Sequence, residues 1–152
     1  MWKVQNDKEV LLKYWHDEQK LPQWFCDSNE TWHQTDEEFL KFCDECYRIF
    51  EIDEQALLYV EKATNHTANI HFSLLRGCRP KNLIKDLTEI RDALLKEFQL
   101  IFGWVSSYNR TLKQICNQLG LYFYGVRMFH VQTHGKILEW QCFSIARQEK
   151  MV

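Results

Sequence analysis

Residues 83–105 constrain this chain more than any other stretch. Leu83, Leu87, Ile90, Leu94 and Phe98 recur at steps of 4, 3, 4 and 4, which draws one apolar stripe along a helix. Leu100-Ile101-Phe102-Gly103-Trp104-Val105 follows as an unbroken apolar run, the mark of a strand covered on both faces. An amphipathic helix feeding a doubly covered strand predicts an α/β domain, with a sheet at its centre and helices on both sides.

The rest of the chain fits that frame. Asn6 or Asp7 caps a helix carrying Val10, Leu11, Tyr14 and Trp15, which ends before Pro22. Residues 22–34 are polar and rich in tryptophan, and read as a loop. Thr35 and Glu38 form a capping box ahead of Phe39, Leu40, Phe42, Cys43, Cys46 and Tyr47. Strands are then expected at 48–52, 56–62 and 68–75, with Asp53-Glu54-Gln55 as the first turn. After a basic loop, Asn82 is placed to cap the helix that carries Leu83 to Phe98. Asn109 starts a further helix bearing Leu112, Ile115, Cys116 and Leu119, and Gly120 suits its left-handed end. Segments 121–129 and 136–146 read as a closing antiparallel hairpin.

With 152 residues, one domain spanning 1–152 is expected. The net charge of −2 argues against a general electrostatic grip on nucleic acid or an anionic membrane. No apolar run is long enough to span a bilayer, and the first residues lack the apolar stretch of a signal peptide. A cytoplasmic protein with reduced cysteines is therefore expected. Cys43 and Cys46 form a C-x-x-C, but no second ligand pair stands at metal-site spacing, so core packing is the better account and no metal is expected.

The element order is helices, a meander of strands, a helix, a strand, a helix and a hairpin. Asn109, Leu112, Ile115, Cys116, Gly120 and Leu121 stand at +0, +3, +6, +7, +11 and +12 of one another. Order and spacing together resemble the GCN5-related N-acetyltransferases (GNAT) over residues 56–147. The resemblance implies a mixed, mostly antiparallel sheet flanked by helices on both faces, with acetyl-CoA held where one strand splays from its neighbour. It implies that the pyrophosphate sits on backbone N–H groups before the long helix, here among Arg76, Gly77, Arg79, Lys81 and Asn82, with Asn109 on the following helix. The family's loop runs Arg/Gln-x-x-Gly-x-Gly/Ala. In this chain the two later glycine positions carry bulkier residues, and Pro80 has no N–H to give.

For the chemistry, the resemblance points to a base on a central strand and a proton donor at +7. His71 lies on the expected strand, out of register with Ile70, Phe72 and Leu74, and is the first candidate base, with Glu61 and Tyr59 behind it. The +7 position is Cys116 where the family often has Tyr. Two functions follow. In one, the fold survives without chemistry as a pseudoenzyme. It resembles the GNAT-like head-assembly or internal virion proteins of bacteriophages, and meets a protein partner through Trp24 and Trp32. In the other, the chain is an acetyl-CoA-dependent N-acetyltransferase acting on a small-molecule or protein amine. The degenerate loop favours the first.

Overall fold

The computed structural model describes residues 1–19, 35–106, 109–131 and 136–148. Trp24 and Trp32 lie outside them, as does the turn of the last hairpin. The strands are β1 (Trp2–Val4), β2 (Arg48–Ile52), β3 (Ala56–Lys62), β4 (Thr67–Leu74), β5 (Leu100–Ser106), β6 (Tyr122–Val131) and β7 (Lys136–Ala146). The helices are α1 (Lys8–Gln19), α2 (Asp36–Glu45), α3 (Ile84–Glu97) and α4 (Arg110–Gln118). The strands form one sheet in the order β1-β2-β3-β4-β5-β7-β6, antiparallel throughout except for β4 against β5.

Local chemistry sets most boundaries. The Asp7 carboxylate accepts from the Glu9 N–H at 2.9 Å and starts α1. Thr35 Oγ1 accepts from the Glu38 N–H at 3.2 Å and starts α2. Asp53 and Glu54 take φ of 51° and 54° in the β2–β3 turn. These two left-handed residues open the three-residue turn Asp53-Glu54-Gln55, which the Gln55 N–H closes on the Ile52 carbonyl at 3.0 Å. Gly120, at φ 76°, ends α4.

Strand alternation sorts the core. Phe50 and Ile52, Ala56, Leu58 and Val60, and Ala68, Ile70 and Phe72 pack with α3 and α4. Ile49, Leu57 and Tyr59 turn the other way, against Leu11, Tyr14 and Trp15 of α1 and Phe39 and Cys43 of α2. Trp15 is fully buried and stacks on Phe39 with centroids 5.1 Å apart.

One join in the sheet is incomplete. β4 and β5 pair only at Thr67↔Leu100, Ala68↔Ile101 and Asn69↔Phe102, although each strand runs several residues further. A Cβ on Gly103 would stand 3.0 Å from the Ile70 carbonyl oxygen. Glycine therefore allows the last close approach before the strands fork. On its other edge β5 stays paired with β7 along its whole length, from Leu100↔Ala146 to Ser106↔Trp140, so only the β4 side opens.

Candidate active site

On the β4 side of the fork lies a cleft of about 180 Å³, walled by Phe72 and Leu74 of β4, Arg76 and Gly77 of the following loop, Asn109 at the start of α4, and Glu18 of α1. The loop is tied on three sides. The Leu75 N–H donates to the Gln55 carbonyl at 2.9 Å, the Cys78 N–H to the Leu75 carbonyl at 3.1 Å, and the Arg76 N–H to Asp17 Oδ2 at 3.0 Å. Gly77 sits at φ 78°, with nothing within 4 Å of where a Cβ would stand. That backbone conformation favours glycine. Among the described residues, the N–H groups of Gly77 and Arg79 carry no hydrogen bond.

Arg76, Gly77 and Asn109 thus meet at the cleft, while Arg79, Lys81 and Asn82 continue from it as an exposed rim. Asn82 does not cap the long helix, as its position suggested. Pro80 opens a 3-10 turn over Pro80–Asn82, and the cap position falls to Leu83, which makes no side-chain cap bond. The Leu83 carbonyl accepts from the Leu87 N–H at 2.9 Å, so the helix starts past Asn82. Asn109 does cap: its Oδ1 accepts from the Leu112 N–H at 3.1 Å, and its side chain is buried.

The other candidates sit apart from the cleft wall. His71 faces the α1–α2 layer rather than an open cleft, because strand alternation sends it there with Tyr59, its cross-strand partner. Its Nε2 lies 2.6 Å from Glu61 Oε2 and 3.2 Å from Asn69 Nδ2, and its ring meets the edge of Phe42. Cys116 is buried in the core between α4 and the sheet. Cys43 is buried on α2, and Cys46, at its C-cap, is half-buried. Burial, then the nearby Asp44 charge, pushes the Cys43 thiol up to about 12. Among the described residues, no group of three His, Cys, Asp or Glu side chains is placed to hold a metal. No helix among them is long and apolar enough to cross a membrane.

Sequence reasoning missed Glu18. It is 5% exposed, and its Oε2 accepts from Ser73 Oγ at 2.8 Å. Ser73 Oγ lies 3.0 Å from the Tyr59 hydroxyl. Burial, with the Glu18 charge second, holds Tyr59 protonated far above its ordinary range. A signal was present. Glu18 extends the helical stripe of Leu11, Tyr14 and Trp15, and a carboxylate on an apolar stripe asks for a buried partner.

No family model matches the chain, and no curated protein matches it. Solved structures do match over nearly its whole length. The ribosomal-protein-alanine N-acetyltransferase from Brucella melitensis aligns with TM-score 0.74 at 13% identity, covering 96% of this chain and 99% of its own. Smu.2055 from Streptococcus mutans aligns with TM-score 0.77 at 12% identity, over 97% and 99%. YncA from Salmonella typhimurium, solved with its cofactor acetyl-CoA, aligns with TM-score 0.70 at 10% identity, over 99% and 96%. At such identities the likeness is one of architecture, and the architecture is the GNAT fold.

Proposed function

We propose that this chain is an acyl-CoA-dependent N-acyltransferase, with the fork between β4 and β5 as its cofactor cleft. The observation that carries the reading is the open cleft itself, together with the two free N–H groups of Gly77 and Arg79 on the loop beside it. Among the described residues the cleft beside the fork stays open, where a purely structural use of the fold would allow side chains to fill it. The loop lacks the family's later glycines, yet Gly77 alone supplies the left-handed turn and leaves its outer side clear.

The residues fit a phosphate-bearing ligand. Among the described residues, the Gly77 and Arg79 amides have no acceptor. Arg76, Arg79 and Lys81 supply three positive charges at the same rim, where a pyrophosphate would meet charge-assisted hydrogen bonds. Pro80 adds no donor, so the cradle rests on those two amides and the cationic side chains. Bound acetyl-CoA would supply an activated acyl thioester. Phe72 and Leu74 would exclude water from its arm, and the acceptor would be a small-molecule or protein amine.

A thermal shift with acetyl-CoA and desulfo-CoA tests this reading. Ligand at 100 times its Kd stabilises the native state by about 2.7 kcal/mol, a midpoint rise of several degrees for a chain of this size. The expected result is such a rise, reduced in the double variant Arg79→Ala, Lys81→Ala. No rise at millimolar ligand would sink it. The fold would then serve contact with another protein, such as a bacteriophage-type assembly role through Trp24 and Trp32.

A further inference from the structure

Polar side chains on the α1–α2 face of β3 and β4 join into a line that ends at the cleft. Ser73 has one proton, and it goes to Glu18 Oε2 at 2.8 Å. The proton in the 3.0 Å Tyr59–Ser73 contact therefore comes from Tyr59. Tyr59 keeps that proton far above its ordinary range, so Tyr59 stays a donor to Ser73 while Glu18 is charged. All three groups are buried, and Glu18 alone lines the cleft. A buried carboxylate is costly unless hydrogen bonds hold it. Here the line holds it in the wall of the cleft.

The geometry points to Glu18 as the residue that takes the proton from the acceptor amine, with Ser73 and Tyr59 as its positioning residues. This rests on the acyl-CoA reading above. The amine nitrogen forms a bond to the acyl carbonyl carbon, and the carbon–sulfur bond breaks. Glu18 accepts the proton that the nitrogen sheds. The sulfur leaves with the bonding pair and takes a proton from solvent, and Glu18 returns its own to solvent, so atoms and charge balance.

Other titratable and charged groups surround this carboxylate. Asp17 precedes it on α1. Tyr59 comes from β3, and Cys43 from α2 acts on Tyr59. His71, paired with Glu61, lies two positions before Ser73 on β4. Arg76 and Cys78 share the cleft wall. His71 is the rival base, and its removal separates the two.

The first readout needs no ligand. Carbon NMR of the Glu18 carboxyl in the free protein follows its titration with pH. In Ser73→Ala, loss of a donor to the charged form moves that titration up by about one pH unit; no movement overturns the positioning role. The second readout is thiol release from acetyl-CoA with excess ethanolamine. Glu18→Gln loses about 100-fold or more while keeping the thermal shift with CoA. The acid limb of the pH profile follows the Glu18 titration and survives in His71→Gln. Three results overturn the assignment: full activity in Glu18→Gln, a limb that vanishes with His71, or a wild-type protein that binds CoA but releases no thiol above buffer. A wild-type protein that does not shift with CoA removes the underlying reading, and this inference with it.

Discussion

The two faces of the sheet are built from the same strands and differ in almost everything else. On β2, β3 and β4 the even-numbered residues from Phe50 to Phe72 meet α3 and α4, and every side chain they bury there is apolar. The odd-numbered residues meet α1 and α2, and they include Glu51, Tyr59, His71 and Ser73, all buried. Each of these polar groups has a partner. Glu51 accepts from Gln5 Nε2 at 2.9 Å and from the Tyr14 hydroxyl at 2.7 Å. His71 pairs with Glu61, and Tyr59 reaches Glu18 through Ser73. Burial of apolar surface needs only shape, whereas buried polar groups need named partners in fixed geometry. One face therefore holds the fold by shape, and the other carries buried polar groups whose line through Tyr59 and Ser73 ends at Glu18 in the cleft wall.

The sharpest way to break this division is to damage the apolar face. Ile90 is fully buried on α3. Ile90→Ala is expected to cost about 2–5 kcal/mol in urea unfolding, the range for a large-to-small core change. A cost below about 1 kcal/mol would mean that α3 does not share a close-packed core with the sheet.

The polar face should fail by a different route. Tyr14→Phe removes one donor from the buried Glu51 carboxylate and is expected to cost about 1–3 kcal/mol. Combined with Glu51→Gln, the two losses should fall short of their sum, because both changes strike one hydrogen-bonded group. Strict additivity would show that the contact contributes nothing.

Alkali probes the same face. Cys43 is held up to about 12 by burial and then Asp44, against 9.0 for an ordinary thiol. The native state keeps a proton that the unfolded chain gives up. Its contribution is therefore full below pH 9 and is lost as pH rises from there to about 12. The expected slope is about 1.4 kcal/mol per pH unit for each such group. Tyr14, Tyr59 and Cys46 are raised as well, each mainly by burial. Denaturation midpoints taken above pH 9 should fall, and fall less steeply in Cys43→Ala. An unchanged slope would mean that the Cys43 thiol is open to solvent in the native state.

The same contrast explains what was legible in the sequence. The strands Arg48–Ile52, Ala56–Lys62 and Lys136–Ala146 begin and end where the residue pattern places them, because alternation and turn chemistry are local. The apolar run Leu100–Val105 marks the central strand, and its spacing to the Asn109–Gly120 helix carries the fold. The polar face was harder to read. Glu18, Ser73 and Tyr59 are separated by up to 55 positions, and nothing short of the sheet register brings them together. His71 could be assigned to a face but not to a partner. The start of α3 shifted because Pro80 set up a 3-10 turn, a choice that an Asn at a plausible cap position does not reveal. The fork is also non-local, since it depends on where the β4–β5 pairing stops after Asn69↔Phe102.

The smallest effect tests a residue that serves both the fold and the cleft. Asn109 caps α4 through the Leu112 N–H and lines the cleft at the same time. Asn109→Ala removes the cap and is expected to cost about 1 kcal/mol. Asn109→Asp keeps an acceptor in the same place and adds a charge that the helix N-terminus favours, so stability should stay within about 0.5 kcal/mol of the parent. That added negative charge faces any phosphate-bearing ligand in the cleft, so the same variant should bind CoA more weakly, and the loss should shrink as salt screens the repulsion. Stability measured by unfolding and affinity measured by titration then separate in one substitution. If Asn109→Asp lost both together, the capping bond rather than the charge would be what the cleft depends on. If it lost neither, the cleft wall at Asn109 would not be where the anion sits.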